Sequence, residues 1–216
     1  MGTINQSPFG SISGAFGNLI GGNWKGRGYI KVRPASVSNP QTVKQVSQRN
    51  RMIACVKLAR SLKSNIIRPI WNKKSGNISG FNLFVRKNVK YFAADGIIAD
   101  YDNFLFSVGD LPLPENIVIE NNPAGNGAIK ISWTDNSGVD IAASTDRLRV
   151  AALKVNEPLV ITGLNVTRSA MQATVQLPYV AGDTVHVYLF FEDEEGATFS
   201  DSFHALVNIP ATPIER

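Results

Sequence analysis

The chain has 216 residues, of which 44% are hydrophobic and 18% are charged, so it can bury one large core or two smaller ones. Its net charge of +5 hides an uneven distribution: residues 1–110 carry 16 basic and 4 acidic side chains, whereas residues 111–216 carry 6 and 13. Because the chain has one cysteine, it cannot form an intramolecular disulfide. It contains no run of eighteen apolar residues, so the sequence predicts no membrane span. We expect the basic half to bind something anionic: nucleic acid, a membrane surface or the acidic half of another copy.

Residues 1–38 are rich in glycine and predict an extended arm. The glycine spacing does not match a phosphate-binding loop. Aromatic and basic residues alternate most densely over 24–33, which is typical of single-stranded nucleic-acid sites, although a half-buried strand with a cationic face is the favoured alternative. With two arginines further on, the candidate contacts to an anionic partner or nucleic acid are Trp24, Lys25, Arg27, Tyr29, Lys31, Arg33, Arg49 and Arg51.

Residues 39–110 predict a basic helix followed by short strands. Asn39 is the expected N-cap and Pro40 the first helical residue, and the helix should end near Ile67, before Arg68-Pro69. At about 100° per residue its cations spread around the circumference, which favours a solvated or interfacial helix over one that enters a DNA groove. The run Phe81-Asn82-Leu83-Phe84-Val85 predicts a strand.

Residues 111–216 predict a β-sandwich domain. Apolar and polar residues alternate in short runs separated by turn residues, at 117–120, 128–134, 147–153, 159–161, 173–177, 184–191 and 198–207. The order resembles a fibronectin type III or immunoglobulin-like module, with Trp133 on the second strand, although the tyrosine expected near the sixth strand is missing. The predicted fold is therefore mainly β, with one long helix, an extended Gly-rich N-terminal arm and a C-terminal immunoglobulin-like β-sandwich.

Residues able to support catalysis or metal binding are sparse. The two histidines, His186 and His204, have no cysteine or carboxylate at metal-ligand spacing, and Cys55 lies in an apolar run typical of a buried thiol. The acidic run 192–195 is typical of a solvated turn. We expect no catalytic residue, no metal, no cofactor and no small-molecule substrate.

A longer pattern resembles a known family. Gly14, Gly17, Gly21 and Trp24-Lys25-Gly26 are followed by Arg33-Pro34, Asn39-Pro40-Gln41-Thr42 and later Gly182-Asp183-Thr184-Val185. This is similar to an uncharacterised family of about this length found in Bacteroidetes and in their phages. The resemblance implies no activity and no functional residue, but it favours a protein of a phage particle or mobile element.

We therefore expect a non-enzymatic structural protein of a bacteriophage particle, associated with its capsid or tail and made in the host cytoplasm without a secretion signal. Its partners would be other copies of itself, neighbouring virion proteins and packaged nucleic acid, with no membrane span. The alternative is a sequence-nonspecific nucleic-acid-binding protein using the basic residues 24–90. A cell-surface adhesion module is disfavoured by the N-terminal sequence, and an enzyme is the least favoured class.

Overall fold

The computed structural model describes residues 2–4, 13–25, 27–36, 39–121, 127–154, 157–161, 164–178 and 182–209. Within these ranges, the side chains of residues 2–4, 24, 27 and 159–161 are not described. The chain forms two compact units, Met1–Gln41 and Thr42–Arg216.

The first unit contains a small antiparallel sheet where the sequence predicted an extended arm. Its strands are β1 (Gly2–Ile4), β2 (Gly14–Phe16), β3 (Leu19–Trp24) and β4 (Arg27–Val32), in the order β1-β4-β3-β2. Gly22 lies opposite Tyr29, and a Cβ at Gly22 would come within 2.8 Å of the tyrosine ring. Glycine therefore lets the ring lie across the neighbouring strand, so some of the glycine content serves close packing inside the sheet.

A helical stretch begins the second unit and differs from the predicted helix at both ends. It comprises α1 (Val43–Ser61), a π-helical segment (Lys63–Trp71) and the short α2 (Asn72–Lys74). The N-cap is Thr42, whose hydroxyl accepts the N–H of Gln45 at 3.4 Å, so the start predicted at Asn39 and Pro40 is wrong. Pro69 lies inside the π-helical segment, because this segment already departs from the regular bonding that a proline disrupts.

The strand predicted at residues 81–85 is wrong, since these residues lie in α3 (Gly80–Asn88). The Ser79 hydroxyl caps this helix by accepting the N–H of Asn82 at 3.2 Å. Leu83 and Phe84 are buried in a core shared with α1 and the π-helical segment. Burial of these side chains therefore outweighs the β preference of the aromatic and branched residues.

Seven strands follow and confirm the predicted sandwich. They are β5 (Glu115–Asn121), β6 (Ala128–Thr134), β7 (Arg147–Lys154), β8 (Glu157–Ile161), β9 (Gln172–Gln176), β10 (Thr184–Glu192) and β11 (Phe203–Asn208). One sheet has the order β5-β6-β9 and the other the order β11-β10-β7-β8. All paired strands are antiparallel.

The sandwich core lies between these two sheets. From β6 it receives Ile129, Ile131 and Trp133, which alternate with the outward-facing Lys130 and Ser132. Trp133 is 5% exposed, as the fibronectin type III-like pattern predicts, and its indole N–H donates to the backbone carbonyl of Arg168 at 2.8 Å. Burial of alternate residues therefore fixes the register of the sheet.

A second core lies on the opposite face of the four-stranded sheet. Tyr188 and Phe190 of β10 point away from the sandwich core and belong to a core that also contains helix residues, where the Tyr188 ring contacts Phe104 and Phe106. The Trp71 ring meets the Phe84 ring edge-on with centroids 5.1 Å apart, and its indole N–H donates to the carbonyl of Phe106 at 2.8 Å. The helices and the sandwich therefore share buried side chains, and the second unit has three layers.

The irregular segment between helices and sandwich, which follows a 3₁₀ turn at Val89–Tyr91, is held by specific backbone contacts. The Asn88 side chain donates to the carbonyl of Leu105 at 3.0 Å and accepts its N–H at 2.9 Å. A Cβ at Gly109 would lie 1.7 Å from the carbonyl oxygen of Phe199, so only glycine fits there. This segment therefore joins the helices to the turn before β11.

Candidate interaction surface

The structure separates the predicted contact residues into two groups. Lys25, Tyr29 and Lys31 lie on the hairpin of β3 and β4, with Arg33 directly after it, while Arg49 and Arg51 lie on α1 in the other unit. The backbones of residues 24 and 27 belong to the same hairpin, but the side chains of Trp24 and Arg27 lie outside the described part. Lys25, Lys31, Arg33 and Arg49 are exposed, and Tyr29 and Arg51 are half-buried.

The helices carry a larger cationic surface than the candidate residues indicated. Residues 43–90 contain no acidic residue. Their basic residues, here called the cationic layer, are Lys44, Arg49, Arg51, Lys57, Arg60, Lys63, Arg68, Lys73, Lys74, Arg86, Lys87 and Lys90. Within the described residues, Lys74 binds Asp110, and no ion pair is seen for the cations Arg60, Lys63 and Arg68. The charge of these three cations is therefore available to another molecule.

Part of the cationic layer lines an open groove of about 490 Å³, here called the cationic groove. Its lining residues are Arg60, Lys63, Ile67, Arg68, Asn72, Ser79 and Phe81. The three cations are exposed, Ile67 is 2% exposed, and Phe81 is half-buried. No carboxylate pairs with these three cations anywhere in the described part of the chain.

The π-helical segment explains why two of these cations, Lys63 and Arg68, share one groove. In an α-helix, residues five apart point about 140° away from each other. A π-helix bonds residues five apart, so Lys63 and Arg68 occupy successive positions along one side. Sequence reasoning assumed α-helical spacing and therefore predicted a dispersed charge. Sequence reasoning ended the helix before Pro69, whereas this proline was the available signal that the helical spacing changes.

Several acidic residues of the sandwich are engaged within the molecule. Glu192 pairs with Arg149, and Asp183 pairs with Lys154. Asp193 accepts the N–H groups of the residues that close its own turn, at 2.6 and 3.0 Å. In the predicted acidic turn 192–195, Glu194 and Glu195 are the exposed members.

One buried ion pair closes an end of the sandwich. The Arg168 side chain is fully buried, and its Nε donates to Asp146 at 3.0 Å while its other nitrogens donate to Asn136 at 2.5 Å and to the Pro112 carbonyl at 2.9 Å. Burial lowers the pKa of this guanidinium and Asp146 raises it, and the group stays charged. Asp146 therefore has a structural role in the fold.

The two histidines, which are far apart in sequence, form a hydrogen-bonded chain with Asp102. His204 Nδ1 lies 2.7 Å from an Asp102 oxygen, and His186 Nδ1 lies 2.9 Å from His204 Nε2. Since a carboxylate only accepts, the Nδ1–H of His204 donates to Asp102. The Tyr101 ring stacks on His186 at 3.5 Å, and the Tyr188 hydroxyl donates to the Tyr101 carbonyl at 2.8 Å.

This histidine chain fastens the irregular segment to β10 and β11. Burial, with a smaller contribution from His204, lowers the pKa of His186 to about 4, and Asp102 opposes the shift. His186 is therefore neutral near pH 7. Sequence reasoning treated the histidines as independent strand residues, because the pairing of Tyr188 with His204 that brings them together depends on the register of β10 and β11.

Other groups with chemical potential lack the required environment. Cys55 is fully buried, and burial raises the pKa of its thiol to about 12, so the thiolate does not form near neutral pH. Within the described residues there is no group of three His, Cys, Asp or Glu side chains that could hold a metal ion. Among the helices described, none is long and apolar enough to span a membrane.

The first unit exposes a row of apolar side chains. Phe16 lies opposite Leu19, which lies opposite Val32, so the three are neighbours on one face of the sheet. Their exposed fractions are 74%, 43% and 70%. Three neighbouring exposed apolar side chains are typical of a surface that contacts another molecule.

These features belong to a protein that matches a known family. The model for a "family of unknown function (DUF6266)" matches residues 11–205. The chain belongs to this family. Among curated protein sequences, none matches this family member.

About half of this DUF6266 chain is similar to solved fibronectin type III domains. A domain of the human collagen alpha-1(XX) chain is 11% identical, with 49% of this chain and 91% of that one covered and a TM-score of 0.37. The chicken CNTN1 FN1–FN3 domains are 12% identical, with coverage of 50% and 37% and a TM-score of 0.35. A beta-1,2-glucanase from Parabacteroides distasonis is 13% identical, with coverage of 49% and 14% and a TM-score of 0.34.

Proposed function

We propose that this DUF6266 protein is a non-enzymatic structural protein that functions in an assembly, where its N-terminal sheet and its sandwich contact neighbouring subunits. The finer proposal is that the assembly is a bacteriophage particle, associated with capsid or tail. That finer proposal rests on the N-terminal sequence pattern and would be tested by mass spectrometry of purified particles against host lysate.

The observation that carries the assembly proposal is the exposed row Phe16, Leu19 and Val32. These residues belong to a small sheet that forms a compact unit of its own. A small sheet buries little apolar surface by itself, so covering this row with a neighbour would stabilise both the sheet and the contact.

The test replaces Phe16, Leu19 and Val32 together by serine and measures self-association by sedimentation velocity. We expect the unchanged protein to form concentration-dependent oligomers and the variant to shift to monomers, because the apolar contact is lost. The matched control replaces the exposed apolar residues Ile53, Val139 and Ile141 by serine and should oligomerise as before. A strictly monomeric unchanged protein, or equal effects of both variants, would contradict the proposal.

A second candidate function is sequence-nonspecific binding of nucleic acid by the cationic layer. It is favoured by the absence of acidic residues over positions 43–90 and by the internal pairing of several sandwich acids, which reduces their availability to another copy. Phosphates would then supply the missing negative charge. The two functions are compatible, since a particle protein can also contact the packaged genome.

A further inference from the structure

We propose that the cationic groove is a binding site for the phosphate backbone of single-stranded nucleic acid, with a base lying against Phe81. This inference rests on the second function proposed above and assigns it to particular residues. It leaves the rest of the cationic layer the weaker role of attracting the strand at long range.

Charge and shape both support the site. Arg60, Lys63 and Arg68 line the same groove, and within the described chain none of them pairs with a carboxylate. A volume of about 490 Å³ lies within the range of sites that enclose a small ligand. The groove is open, so an extended strand can pass through it and place its phosphates beside the cations.

The apolar side of the groove distinguishes this ligand from a simple anion. Phe81 is half-buried, so its ring is held by the core while part of it remains accessible. Buried Ile67 also lines the groove. An aromatic ring beside several cations is the combination with which proteins hold single strands without reading their sequence.

The cations themselves supply the charge of the site. The start of α3 is next to the groove, but two of its N–H groups already have partners: Gly80 donates to the Asn72 side chain at 3.0 Å and Asn82 donates to the Ser79 hydroxyl at 3.2 Å. The π-helical segment is the decisive element, because it aligns Lys63 with Arg68.

The test measures fluorescence anisotropy of labelled dT12 with the full chain at several salt concentrations. The groove variant is Arg60→Gln, Lys63→Gln and Arg68→Gln. We expect its affinity to fall about tenfold or more at low salt, and the slope of log K against log salt to decrease by about 2, since each single-strand phosphate contact contributes about 0.7. The matched control removes equal charge outside the groove, through Lys44→Gln, Arg86→Gln and Lys87→Gln. Its affinity for dT12 should decrease much less than that of the groove variant.

A further variant, Phe81→Leu, separates stacking from charge. It should weaken dT12 binding about fivefold while leaving the salt slope unchanged, because stacking releases no counterions. Unchanged far-UV circular dichroism verifies that each variant is folded.

The outcomes separate this inference from the function on which it rests. If the groove variant and the control variant lost equal affinity for dT12, the groove would not be the binding site, and nonspecific binding by the whole cationic layer would remain. No binding of dT12 at low salt by the unchanged protein would overturn both. If the groove variant instead abolishes a salt-dependent self-association and DNA is not bound, the cations serve an acidic protein surface and the phosphate site is wrong.

Discussion

At the scale of single residues, His186 makes the attachment of the irregular segment sensitive to acid. Its imidazole is hydrogen-bonded to His204 and stacked on Tyr101, and Asp102 completes the chain. The other titratable group in contact is Tyr188, and Asp100 also acts on this site. Of these groups, His186 has the pKa that folding lowers into the acid range, to about 4.

The direction of the pH effect follows from this lowered pKa. Between about pH 6.5 and pH 4 the unfolded chain binds a proton at His186 that the folded chain does not, so the free energy of unfolding decreases as the pH falls through this range. Above about pH 6.5 the contribution is fully present. We expect His186→Gln to weaken the fall in thermal midpoint between pH 7 and pH 4.5. Between pH 7 and pH 8 the thermal midpoints of the variant and of the unchanged protein should depend on pH in the same way. If the two midpoints also fell equally between pH 7 and pH 4.5, this assignment to His186 would be contradicted.

At the scale of elements, the sandwich strands could be predicted and the helical layer could be predicted only in part. Ile129, Ile131 and Trp133 alternate with polar residues, so strand β6 and its buried face follow from the sequence. The run Tyr188-Leu189-Phe190-Phe191 shows no such alternation, because β10 is buried on both faces. Its continuous apolar character was the available signal that another layer covers the sheet.

The candidate site was less predictable than the fold, for a physical reason. Arg60 and Arg68 become neighbours of Phe81 only when the helices pack, and Lys63 aligns with Arg68 only in the π-helical segment. Propensity describes neither the packing of distant segments nor a switch from α to π bonding. Charge counting located the basic half of the chain, and the structure located the groove within it.

The core between helices and sheet should be as important for stability as the sandwich core. Trp71 is fully buried, and Trp71→Ala should reduce the free energy of unfolding by about 3–5 kcal/mol, because it leaves a large cavity and an unpaired carbonyl at Phe106. Ile53→Ala, at a 66% exposed position of α1, should change it by less than about 0.5 kcal/mol. Urea unfolding followed by far-UV circular dichroism measures both. Equal effects of the two variants would show that the helices are loosely attached.

At the scale of the whole molecule, the second unit should fold only as a whole. Residues 42–216 contain both cores, whereas residues 111–216 alone would expose the β10 side chains Tyr188 and Phe190, whose core is completed by residues before 111. We expect the first fragment to be monodisperse by size-exclusion chromatography with a single cooperative thermal transition, and the second to aggregate. A monomeric 111–216 fragment that keeps the thermal midpoint of the longer one would contradict this expectation.

The sheet buried on both faces also limits how such a sandwich can be rearranged in evolution. A β-sandwich with polar outer faces can be duplicated, repeated in tandem or moved into another gene, because each copy contains its complete hydrophobic core. Here the aromatic outer face of β10 needs the helices and the irregular segment that precede the sandwich, so a duplication or fusion that begins after residue 110 would produce an aggregation-prone fragment. Recombination should therefore preserve the helices and the sandwich as one unit, and the cationic groove would be inherited with that unit.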